Sequence, residues 1–338
     1  SSRALGNAGS ATHRSRLSAA SHSDYWVHSL GQAVVRRTSP GVRGRSRNDP
    51  RRRSDAPIAW FRTRHFDKST PDRRQDVIVG RPRDIRLSFN DAAEIYDAVR
   101  PSYPAAVFDA LFDMLPSNPR IVEVGPGTGQ ATRDLLARGS AVHAIEIGPS
   151  MAAKLLSNLP SPRLRVSVGD FEQVTVTPGS ADAVFSATAY HWVSRTAQTD
   201  RPASILRPGG LVAIVDLVQV DSLDDAGFFA ACQPTYEKYN QGHTGPPAPT
   251  RNAVDPAIRQ ILDDDVRFKN VAVRRWDWNQ TYTTSQYQQL ILSYSETQMM
   301  DESDRRGLVD DMAALINEHF GGFVTRPLVV ALTTAILA

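Results

Sequence analysis

From Ser88 onward, the apolar positions of the chain switch repeatedly between a helical and a strand rhythm. Ala92, Ile95 and Tyr96 share one helical face behind an Asn or Asp cap, and Pro104 opens a second helix in which Val107, Phe108, Leu111, Phe112 and Leu115 recur at three- and four-residue intervals. Short apolar runs at 121–124, 141–145, 164–169, 181–187 and 211–217 then read as buried strands. Between the first of these lie helical stretches at 130–137 and 149–159, the second with Met151, Leu155, Leu156 and Leu159 inward. Strands alternating with helices require a parallel sheet covered on both faces, joined by right-handed crossovers.

Past Val220 the rhythm breaks. Phe228 to Tyr239 reads as a helix, and Gln241 to Thr250 holds two Gly and three Pro, too many for regular structure. A strand at 271–276, helices at 284–294 and 303–320, a stop at Gly321-Gly322 and a strand at 323–332 complete the pattern. The longest apolar run, Pro327 to Ala338, has twelve residues and two threonines. A membrane helix needs roughly 20, so the run reads as a buried strand.

Charge divides the chain more sharply than its total suggests. Of a net +3, residues 1–85 hold seventeen Arg and one Lys against seven Asp and no Glu, a local +11, which leaves −8 for residues 86–338. The first segment is rich in Arg, Ser, Gly and Pro with two isolated apolar clusters, so its composition predicts disorder. It suits a solvated tail, a targeting peptide or a nucleic-acid-binding arm. One cysteine, Cys232, allows neither an internal disulfide nor a cysteine-based zinc site and suits a cytoplasmic location; no metal is expected.

The chemistry concentrates at Ile121-Val122-Glu123-Val124-Gly125-Pro126-Gly127-Thr128-Gly129-Gln130, a strand turning through three alternate glycines into a helix. Glycine serves where φ must be positive or a ligand must approach closer than a Cβ allows. Dinucleotide-binding turns use Gly-x-Gly-x-x-Gly, whereas this one is Gly-x-Gly-x-Gly. Glu123 stands at the strand's carboxyl end, where its charge repels a pyrophosphate and welcomes a cation. Glu146 follows the second strand, placed for ribose hydroxyls, and Asp170-Phe171 follows the third.

At these residues the chain resembles the class I S-adenosylmethionine-dependent methyltransferases with a type 11 methyltransferase domain. Val99-Arg100-Pro101-Ser102-Tyr103-Pro104 looks like a lid segment of the small-molecule branch related to trans-aconitate methyltransferase. The resemblance implies an α/β, Rossmann-like, seven-stranded, mostly parallel sheet whose last strand is antiparallel, with helices on both faces. It implies a domain over 86–338 with a helical lid from insertions at about 222–265 and 280–320. It implies S-adenosylmethionine as cofactor, held by Tyr96, Arg100, Glu123, Gly125, Gly127, Gly129, Glu146, Ile147, Asp170 and Phe171, with Asp170 accepting from the adenine amino group.

Methyl transfer from a sulfonium is an in-line displacement that asks mainly for alignment and exclusion of water. A hydroxyl or amine acceptor also needs a base, and His191, flanked by Tyr190 and Trp192 after the fourth strand, is the candidate, with Tyr190 beside it. The other reading of His191 is a helix cap. Met299, Met300, Tyr282, Tyr287 and Tyr294 line an acceptor pocket or belong to plain core, and of the adjacent Arg274 and Arg275 at most one points inward. A small-molecule acceptor is expected. The alternatives are a nucleic-acid methyltransferase using the basic arm, a non-catalytic methyltransferase-like binding protein, and an NAD enzyme. The acidic folded portion argues against nucleic acid.

Overall fold

The structure is a computed structural model that describes residues 102–242 and 248–338. The expectations for the basic segment, for the helix at 89–97 and for Tyr96 and Arg100 lie outside the described residues.

A seven-stranded sheet organises the molecule. Its strands are β1 (Arg120–Val124), β2 (Ala141–Glu146), β3 (Leu164–Val168), β4 (Ala181–Ala187), β5 (Leu206–Gln219), β6 (Phe268–Thr283) and β7 (Phe323–Leu337), in the order β3-β2-β1-β4-β5-β7-β6. Neighbours from β3 through β5 pair in parallel, and β7 runs antiparallel to both β5 and β6. The expected seven strands, mostly parallel with an antiparallel last one, are present. Chain order reverses at β1, so the carboxyl ends of β1 and β4 open a crevice of the kind in which α/β sheets bind ligands.

The helices α1 (Ala105–Phe112), α2 (Thr132–Ala137) and α3 (Pro149–Asn158) cover one face. Val107, Phe108, Leu111, Leu135 and Leu155 there bury against Ile121, Phe185, Ala213 and Leu332. These are the apolar positions that the helical rhythm selects. On the opposite face lie α4 (Ala197–Ile205) and α6 (Ala257–Asp263), whose Ile205, Ile258 and Leu262 pack on Val122, Val184 and Val212. A third cluster forms where α5 (Phe228–Lys238), α7 (Thr284–Leu292) and α9 (Glu302–His319) meet around Phe228, Tyr287, Leu308 and Met312. A single turn, α8 (Ser295–Gln298), links α7 to α9.

Three differences from the sequence reading have physical causes. Strands β6 and β7 extend to 16 and 15 residues because they pair with each other over their whole length, which a 2-residue periodicity window does not reveal. Arg207-Pro208-Gly209-Gly210 is a bulge inside β5: Leu206 pairs Ala181 and Leu211 pairs Ala183, so the intervening residues loop out. The expected insertion at 222–265 divides, since α5 joins the third cluster whereas α6 covers the sheet beside α4. Helix α6 follows Pro256 with Ile258, Ile261 and Leu262 at helical spacing, a signal the sequence carries.

Candidate functional site

The three glycines all take positive φ, at 64°, 58° and 105° for Gly125, Gly127 and Gly129. Two are also fixed by crowding. A Cβ on Gly125 would lie 2.5 Å from Ala189 Cβ, in the turn after β4, and one on Gly129 would lie 2.7 Å from Leu155 Cδ1 and 2.8 Å from Leu159 Cδ1. The glycine turn therefore packs against the post-β4 turn on one side and against α3 on the other.

Behind the turn sit two carboxyls. Glu123 is 1% exposed and accepts from Thr132 Oγ1 at 2.7 Å. Burial pushes it up to about 8, the Thr132 hydrogen bond opposes this, and the neighbouring Glu146 adds to the rise. Glu146 spans the turn ends, with Oε2 accepting from Gly127 N at 3.1 Å and Oε1 from Gly148 N at 2.9 Å. Burial raises its titration, and the backbone donors of Gly148, Gly127 and Ile147 pull the other way. Ile147 is the first residue beyond β2 and is half-buried. Two acids forced together inside the protein suit a bound cation and oppose a phosphate.

Beyond β3, Asp170 Oδ1 accepts from Glu172 N at 3.0 Å and shapes the turn that places Phe171. Phe171 is buried with the Arg201 guanidinium over its ring, and its carbonyl accepts from Arg201 Nε at 3.1 Å. Beyond β4 the chain makes a strained corner at Thr188, whose φ of 55° is uncommon for a β-branched residue. Thr188 N donates to Val215 O at 2.8 Å, and its Oγ1 shares a 3.0 Å hydrogen bond with Tyr103 OH. Tyr103, from the lid-like segment, thus reaches the end of β4. Strain of this kind is held where the surroundings over-determine it, often at functional sites.

The corner leads into a single 3₁₀ turn, Tyr190–Trp192. His191 is half-buried with its ring centroid 5.0 Å from that of Trp192. Tyr190 is 2% exposed, its hydroxyl donates to Gln198 O at 2.8 Å, and burial raises its titration above the usual phenol value. That geometry fixes the turn from beneath. A cavity of about 80 Å³ opens beside it, between Thr188 and His191 on one side and Asp216, Val254, Ile258 and Ile261 on the other.

The structure thus gathers Glu123, the three glycines, Glu146, Ile147, Asp170, Phe171, Tyr190 and His191 along the carboxyl edge of four neighbouring strands. Two features escaped the sequence reading. Asp216 interrupts the apolar run of β5, a visible signal, and burial pushes its carboxyl up to about 7. The wall at 248–256 had no periodicity to reveal it; Arg275 Nε pins it by donating to Val254 O at 2.5 Å, and Arg251 Nη2 by pairing with Asp224 at 2.7 Å. Arg274 is exposed. Met299 is 58% exposed, whereas Tyr282 and Tyr287 are buried in the third cluster with Tyr294 and Met300 packed against it. None of these five lines the cavity.

Among known proteins, residues 122–214 match the family model described as a methyltransferase domain. An uncharacterised methyltransferase of Mycobacterium bovis is 37% identical over 134 residues, 39% of this chain and 53% of that protein. A malonyl-[acyl-carrier protein] O-methyltransferase of Dechloromonas aromatica is 30% identical over 39% of this chain and 50% of its own length. The chain spans about half the length of these curated relatives. Among solved structures, phosphoethanolamine N-methyltransferase 2 of Haemonchus contortus in complex with S-adenosyl-L-methionine aligns over 77% of this chain and 60% of its own, at 17% identity and a TM-score of 0.44. The family match runs from within β1 into β5 and so takes in the glycine turn, both buried acids and the post-β4 corner.

Proposed function

We propose that this protein is an S-adenosylmethionine-dependent methyltransferase acting on a small-molecule acceptor. The observation that carries the reading is the pair of buried acids, Glu123 and Glu146, behind a glycine turn inside a methyltransferase-domain match. When bound, S-adenosylmethionine supplies a methyl group on a sulfonium, whose departure leaves a neutral thioether. Glu123, neutral in the ligand-free protein near pH 7, gives up its proton to hold the ligand's positive end, and Gly125, Gly127 and Gly129 keep side chains out of its way. Glu146 accepts from ribose hydroxyls with the oxygen lone pairs left free by its backbone donors Gly127, Ile147 and Gly148. Asp170 accepts from the adenine amino group, and the Phe171 backbone N–H donates to a ring nitrogen. By the sequence resemblance, Tyr96 and Arg100 are assigned to cofactor binding.

His191 takes a proton from a hydroxyl or amine acceptor, and Tyr190, anchored on Gln198, keeps His191 in place. The apolar walls of the adjacent cavity exclude water from the transfer. Isothermal calorimetry tests the cofactor assignment directly. Binding of S-adenosylmethionine with no binding of NAD is expected, and the reverse result refutes the reading.

A further inference from the structure

The cavity beside His191 contains an imbalance of hydrogen-bonding groups. Its walls are mostly aliphatic, with Ile214, Val218, Val254, Ile258 and Ile261 among the lining residues. Two residues of its lining each carry an enclosed oxygen without any hydrogen-bond partner among the described residues, Oδ2 of Asp216 and Oε1 of Gln198. The orientation of the Gln198 amide is not free. Its Nε2 donates to Tyr190 O at 3.2 Å and to Val193 O at 3.1 Å, so the other atom must be the acceptor. Asp255, the other acid of the wall, is already engaged by Arg259 at 2.8 Å and by Arg275 at 3.8 Å.

An enclosed acceptor without a donor is destabilising, and a charged one more so. Asp216 is half-buried and belongs to the cavity lining, so a ligand in the cavity lies against this residue. At about 80 Å³ the space is several times what one water needs. A group with several N–H donors on an aliphatic skeleton satisfies both oxygens at once. A carboxylate brings no donor for either oxygen and, once Asp216 is ionised, meets it as a like charge.

Resting on the methyltransferase reading above, we infer that this cavity binds the acceptor through an amino group held by Asp216 and Gln198, and that it rejects carboxylate acceptors. Asp216 is then a specificity-determining residue, distinct from the Glu123 and Glu146 pair that faces the cofactor.

The test uses the full chain saturated with S-adenosylhomocysteine and three ligands of one skeleton, isobutylamine, isobutanol and isobutyrate, titrated by ligand-observed NMR. The amine is expected to bind at least tenfold more tightly than the carboxylate. Asp216→Asn should erase that preference while S-adenosylhomocysteine affinity, read by calorimetry, stays within twofold. Isobutyrate binding as well as the amine, failure of all three to bind, or a preference unchanged in Asp216→Asn would each overturn the inference. Should Asp216→Asn melt early, Asp216→Ser repeats the comparison, and the wild-type preference needs no variant. Loss of S-adenosylhomocysteine binding by the wild-type protein counts against the methyltransferase reading, and the same titration on the ligand-free chain then still tests the cavity.

Discussion

Glu123 sets the balance between stability and function at the residue scale. A glutamate that titrates at 4.5 when free titrates at about 8 in this fold, so the folded state holds its proton more tightly than the unfolded one. The sign follows from linkage: the contribution is fully present below pH 4.5 and is lost as pH rises toward 8, at about 1.4 kcal/mol per pH unit. Glu123→Gln should therefore flatten the fall in Tm over this range and leave the ligand-free protein at least about 1 kcal/mol more stable above pH 8. The same variant should bind S-adenosylmethionine at least tenfold more weakly. A Tm profile indistinguishable from wild type would show that Glu123 is not held protonated. His191 belongs to the same scale. His191→Ala should lower turnover on an amine or hydroxyl acceptor about 10²-fold or more, as loss of a general base does, with cofactor affinity retained; unchanged turnover would leave His191 only a cap.

At the scale of elements, the third cluster is separable from the sheet. Phe228 is fully buried there, with Phe229, Tyr287 and Phe320 rings at centroid distances of 5.5, 5.1 and 5.3 Å. Phe228→Ala should cost about 3–5 kcal/mol. Because β1 and β4 bury their side chains in other clusters, the loss should appear as faster hydrogen exchange in α5, α7 and α9 while β1 and β4 stay protected. Uniform loss of protection would mean that the cap and the sheet fold as one unit. Elements also explain what was legible. Helix α1, strands β1 to β4 and the glycine turn follow local period and turn chemistry, so their residues announce them. The lengths of β6 and β7 depend on each other's backbone, and the Leu206–Leu211 bulge depends on pairing with β4, so neither shows in a short window.

For the whole molecule, charge separates two roles. Residues 86–338 carry −8 and include the acids at the ends of β1, β2 and β3, while residues 1–85 carry +11. Deleting residues 1–85 should leave S-adenosylmethionine affinity within about twofold by calorimetry. If the full chain binds nucleic acid, that binding should vanish on deletion and fall steeply with salt beforehand, as phosphate contacts do. Retention of salt-sensitive nucleic-acid binding by residues 86–338 alone would revive the nucleic-acid reading.

The sequence by itself determined the parallel architecture, the glycine turn and the acids at successive strand ends, because each rests on local periodicity or on residue types that a short stretch requires. Tertiary structure alone decided that Gly125 faces Ala189, that Glu123 and Glu146 share one buried space, that Tyr190 is spent on Gln198, and that Asp216 and Gln198 leave two oxygens without donors around one cavity. Those facts concern distances between segments far apart in the chain. Burial and hydrogen-bond satisfaction are properties of packed neighbours, which no single stretch of residues encodes.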